Sequence, residues 1–171
     1  MIVTTDIANI LYRDCQPFEI DIVPHGKKLT GPMKSERIVI HSKKQQPETY
    51  WKKSFVEVNL CVPDLKEGEA NTIRLNELEK QAQELFDGVT GRYDGTTYHY
   101  SIESIGIEED TSLKCHYVNV RILFEVLNVN NMAESKKITA VNIKKLWYGE
   151  TNAITADLTG QALYIFYKVK P

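Results

Sequence analysis

The sequence predicts an α+β protein, a mainly antiparallel β-sheet with two helices packed on one face, followed by a C-terminal β-rich extension. Three stretches carry that expectation. Residues 55–62 alternate strictly, with Val56, Val58, Leu60 and Val62 on one parity and Glu57 and Asn59 on the other. A period of two marks a strand with one buried face. Residues 72–86 set Leu75, Leu78, Ala82, Leu85 and Phe86 at helical spacing opposite Arg74, Glu77, Lys80, Gln81 and Glu84. That is an amphipathic helix with its apolar stripe turned to a core. Residues 116–127 alternate again, with Val118, Val120, Ile122, Phe124 and Val126 against Asn119, Arg121 and Glu125. Helices that cover one face of such a sheet make a two-layer sandwich.

In chain order, residues 4–14 predict a first helix, capped by Thr4 or Thr5 and carrying an apolar stripe of Ile7, Ile10 and Leu11. Pro17 ends it. Phe18, Ile20 and Ile22 alternate with Glu19 and Asp21 and predict a short strand closed by Pro24. Residues 25–33 read as a loop, 36–42 as a strand through Ile38, Val39 and Ile40, and 43–49 as a second loop. The central strand stops at Pro63, which has no amide to donate. Asn71 or Thr72 caps the main helix. Asp87-Gly88 and Asp94-Gly95 bracket a segment read as turns. A long hairpin follows, with arms 98–108 and 116–127. Tyr98, Tyr100 and Ile102 share one parity and Ile105 and Ile107 the other, which predicts a bulge near Ser104, at Gly106. The polar run 128–137 sets a boundary, giving a main domain 1–128 and an extension 129–171 of unassigned fold. Within the extension, 138–147 and 162–169 have strand character.

Composition narrows the function. The 171 residues carry a net charge of -2, against the basic excess of proteins that coat nucleic acid. A chain of this length folds without a metal or disulfide. The three cysteines, Cys15, Cys61 and Cys115, form no CxxC pair and read as free thiols of a reducing compartment. No apolar run spans a bilayer, and no basic-then-apolar leader opens the chain.

Chemistry-bearing motifs are sparse. His25, His41, His99 and His116 lack metal-ligand spacing, and Cys115-His116 neighbours point to opposite faces of a strand. Glu108-Glu109-Asp110 reads as a solvated hairpin tip. Gly88, Gly91 and Gly95 match no phosphate-binding motif. The expectation is therefore a protein with no catalytic, cofactor or metal residues. Two rivals are weighed against it. One is a hydrolase-like enzyme with a dispersed site of His99, His116 and Glu103. The other is a weak nucleic-acid-binding module built on Lys43, Lys44, Tyr50, Trp51, Lys52 and Lys53, a stretch that equally suits lysines guarding a sheet edge.

Residues 35–128 carry a resemblance. Glu36-Arg37-Ile38-Val39-Ile40, then Phe55 through the Val62-Pro63-Asp64 stop, then the helix, then Tyr117-Val118-Asn119-Val120-Arg121, resemble the small tail-completion proteins of long-tailed bacteriophages. These include tail terminators and head–tail joining proteins. Residues 141–149 are similar to the opening of some phage tail-tube proteins. The resemblance implies a virion structural protein, assembled in the bacterial cytoplasm as a homo-oligomeric ring, expected to be a hexamer. Its partners would be its own copies, the tail-tube protein and the head connector, with no membrane or specific nucleic acid. Arg92, Tyr93 and Tyr98 are the candidate ring-interface residues, since Arg and Tyr are enriched at such contacts.

Overall fold

Among the described residues, two α-helices lie against one face of a six-stranded antiparallel sheet. The computed structural model describes residues 1–48, 50–66 and 68–127. The expected boundary after residue 128, the extension and its two strand segments lie outside the described residues.

Helix α1 (Thr4–Asp14) and a short 3₁₀ turn (Gln16–Phe18) are followed by β1 (Arg37–Ser42), β2 (Gln46–Pro47) and β3 (Trp51–Pro63). Then come α2 (Thr72–Phe86), β4 (Val89–Tyr93), β5 (Thr96–Asp110) and β6 (Cys115–Leu127). The sheet runs β1-β3-β6-β5-β4, and the two-residue β2 shares the β1 side of β3. The two long strands with the cleanest alternation sit in the middle, paired from Trp51↔Leu127 to Pro63↔Cys115.

The expected parity is the observed one. Val56, Val58, Leu60, Val118, Val120, Ile122, Phe124 and Val126 are buried beneath the helices. Helix α1 contributes Ile7, Ile10 and Leu11 to that core, and α2 contributes Leu75, Leu78, Ala82 and Phe86. Each of the Val, Ile, Leu and Phe side chains is worth roughly 1.5–3 kcal/mol when fully buried. An aromatic seam runs through the layer: Phe18–Phe86 at 5.8 Å, Phe86–Tyr100 at 6.4 Å, Tyr100–Phe124 at 5.5 Å and Tyr98–Phe124 at 5.3 Å between centroids. The opposite face carries half-buried polar pairs. Asn119 donates to Asn59 at 2.8 Å, and the Arg121 guanidinium lies 4.4 Å from the centre of the Phe55 ring.

Five local expectations give way, the first being the 43–49 loop, which contains the two-residue strand β2. Phe18 belongs to the 3₁₀ turn, and Glu19 (φ 56°) reverses the chain straight after it, so 18–22 forms no strand. Residues 21–23 instead lie along β1: Ile38 donates to the Asp21 carbonyl at 3.0 Å and Val23 donates to the Ile38 carbonyl at 2.8 Å. The N-cap of α1 is Val3, whose amide donates to the Asp6 carboxylate at 2.9 Å, in place of either threonine. The turn-rich segment contains β4, joined to β5 by Asp94 (φ 47°) and Gly95 (φ 71°). Positive φ at both central residues is the type I′ geometry that matches strand twist. Lastly, the bulge is present, but Glu103 is its extra residue: the pairing jumps from Ile102↔Ile122 to Ser104↔Arg121. Gly106 pairs regularly with Asn119.

Candidate assembly interface

The two margins of the sheet are finished differently. On the β1 side, β2 covers part of β3, and residues 21–23 cap Ile38. On the other side β4 pairs only with residues 96–100 of β5, from Val89↔Tyr100 to Tyr93↔Thr96. Among the described residues nothing pairs with the outer edge of β5 from 101 to 110. The cause is local. The two-residue turn fixes where β4 starts its pairing, and helix α2 ends at Phe86, so β4 has no length left to follow β5. Antiparallel pairing points every second residue's N–H and C=O outward, so this overhang presents a row of unsatisfied backbone groups.

The overhang carries Ile102, Ile105 and Ile107 among Ser101, Glu103, Ser104 and Gly106, and ends in the acidic run Glu108-Glu109-Asp110. Ile102 and Ile105 are half-buried against the core, and Ile107 is 43% exposed. Glu103 reaches Arg121 at 2.7 Å, and Tyr117 donates to Glu108 at 2.7 Å. Burial, with Glu108 beside it, raises the Tyr117 phenol above its usual range. Asp110 is spent on the turn, where it accepts from the Ser112 amide at 2.9 Å and the Leu113 amide at 3.1 Å. The Ser112 hydroxyl, then those amides, hold the Asp110 carboxyl below its usual value.

The candidate interface residues divide. Arg92 is exposed on β4, and Tyr93 is half-buried beside the core. Tyr98 is corrected: it is 2% exposed, stacked on Phe124 and Tyr100, and its hydroxyl accepts from Arg13 at 2.9 Å. It shares inward parity with Tyr100, so it builds the core and leaves the rim to other residues. What sequence reasoning missed is the overhang itself. Its signal was the Asp94-Gly95 turn followed by a strand longer than anything before the turn.

The residues of the hydrolase-like alternative do not converge. His99 bonds Thr90 at 3.1 Å beside β4, His116 bonds Asp64 at 2.8 Å at the far end of β6, and Glu103 pairs with Arg121. Cys61 and Cys115 are both buried and in contact, and that contact raises the Cys61 thiol and lowers the Cys115 thiol. The lysines of the basic stretch are partly engaged within the fold, Lys43 with Glu57 at 2.8 Å and Lys53 with Glu48 at 3.3 Å. Among the described residues no group of three or more His, Cys, Asp or Glu stands where it would hold a metal ion, and no helix is long and apolar enough to cross a membrane.

No protein-family model matches the chain, and no curated protein matches its sequence.

Proposed function

We propose that this chain is a non-enzymatic structural subunit that closes into a ring on the tail tube of a long-tailed phage or prophage and joins the tube to the head connector. The observation that supports this most is the edge of β5 at residues 101–110, which nothing among the described residues covers, on a sheet whose opposite margin is partly covered. Open edges pair with other chains. A contact between unlike surfaces of identical subunits closes into a ring when the rotation closes. The phage setting, the hexamer and the partners come from the resemblance of residues 35–128, not from the edge.

Multi-angle light scattering over a concentration series tests the ring. The expected result is a rise from the 19.6 kDa chain to a single closed multiple of it, sixfold for the hexamer. A strict monomer throughout the series overturns the reading. The tail setting is tested by adding the protein to purified tail tubes that lack their end cap. Electron micrographs should show a ring at one end of each tube, and bare tubes would remove the phage assignment.

A further inference from the structure

We propose that the strand taken up by the β5 edge is the free end of β1 in a second copy, so that residues 101–110 of one molecule lie beside residues 40–44 of the next, head to tail. This rests on the ring reading and supplies its contact.

Among the described residues the β1 margin is covered only at its start. Ile38 spends its amide and carbonyl outward, on residues 21–23, while the Lys43 amide turns inward to the Phe55 carbonyl at 2.9 Å. Strand alternation then turns Ile40 and Ser42 outward. Ser42 adds a second sign: its hydroxyl is buried and, among the described residues, has no hydrogen-bond partner. Buried hydroxyls in folded proteins are nearly always bonded.

Charge selects the pairing. The far end of the overhang carries Glu108 and Glu109, both exposed, and the β1 margin continues into Lys43 and Lys44, both exposed. If two β5 edges paired antiparallel with each other, the end bearing Glu103 in one copy would meet the end bearing Glu108 and Glu109 in the other, and like charges across a ladder repel. An acidic edge against a basic one is attractive and uses two different surfaces of the same chain. That is the heterologous contact a ring needs, whereas edge-to-same-edge pairing stops at a dimer. The pairing would also cover Ile107.

Two charge-reversed proteins test this: E108K/E109K, in which both margins are basic, and K43E/K44E, in which both are acidic. Lys43 also pairs with Glu57 and Glu108 also accepts from Tyr117, so the single changes K44E and E109K, which touch neither contact, are run beside them and should show the same pattern; far-ultraviolet circular dichroism checks that each folds. Assembly is followed by light scattering. Each variant alone should need at least about tenfold more protein to assemble than the unaltered chain. An equimolar mixture should assemble again, because every contact then joins a basic margin to an acidic one. In the assembled protein the amides of Ile40 and Ser42 should exchange with solvent more slowly than in the monomer. If the unaltered chain and both variants assemble alike, the edge pairing is wrong and the ring reading stands. If the variants fail alone and also fail when mixed, the pairing is likewise overturned. If the unaltered chain never assembles, the ring reading falls and this contact falls with it.

Discussion

Tyr100 joins three parts of the chain through one side chain. Its ring packs on Phe86 of α2 and Phe124 of β6, and its hydroxyl donates to Asp14 at the end of α1 at 2.9 Å. Burial, then the Asp14 charge, keeps its phenol protonated far above the usual 10.0. Burial does the same to the neighbouring Cys15, whose thiol rises from 9.0 to about 12. The sign follows from proton counting. Below pH 9 both groups hold their protons in the folded and unfolded chain, and stability does not depend on them. Above it the unfolded chain releases protons that the folded chain retains, so stability falls as pH rises. Denaturant titrations should find no loss from these groups up to about pH 9, then a decline approaching about 1.4 kcal/mol per pH unit from Cys15, joined by a like contribution from Tyr100 only above its ordinary value of 10.0. Cys15→Ala should make the decline between pH 9 and 12 shallower; an unchanged slope would show that the thiol titrates normally. Gly91 makes a separate demand. A Cβ there would strike the hydroxyl and ring of Tyr98. Gly91→Ala should cost about 1–3 kcal/mol by overpacking, read as a lower denaturation midpoint with an unchanged slope. Tyr98 also marks a limit of reading residues by type. As a tyrosine it suits an interface, but its parity with Tyr100 and Ile102 decides its place, and parity points inward.

At the scale of elements, period and stop signals proved sufficient for the helices. Residues 4–14 and 72–86 are helical as expected, and Asn71 caps α2 by accepting from the Arg74 amide at 3.2 Å. The long strands followed from alternation alone. The two missed strands share a cause: β2 and β4 are short and mostly polar, and their pairing is imposed by a longer neighbour that local pattern does not display. The bulge was legible as a parity change but not as a residue, because the slip from Ile102 to Ile105 leaves its location open. Its location has a consequence for deletions. Removing Glu103 should leave Ile102, Ile105 and Ile107 facing inward, with a loss of no more than about 2 kcal/mol. Removing Ser101 instead shifts the parity of every β5 residue on one side of the gap and should unfold the protein or scramble the hairpin. Thermal melts of the two deletions check this, and equal melting temperatures would refute the assignment of Glu103.

For the molecule as a whole, the sequence was informative about the inside and nearly silent about the margins. Buried positions are dictated by the apolar pattern, whereas an edge is defined by what fails to pair with it. The residue types at the β5 overhang, Ile, Ser, Gly and Glu, are those of any half-exposed strand. If assembly runs through that acidic edge, raising the salt concentration should weaken it, because screening shortens the reach of exposed charges. Light scattering at low and high ionic strength reads this directly, and salt-independent assembly would point to an apolar contact elsewhere. The mismatch in length between β4 and β5 then acquires a meaning of its own. It is a docking allowance set by the interval between Phe86 and the Asp94-Gly95 turn. A few strand-forming residues inserted between Gly88 and Val89 would let β4 continue along its own neighbour. Such a protein would satisfy itself, and its capacity to recruit another copy would be switched off without touching one side chain of the exposed surface.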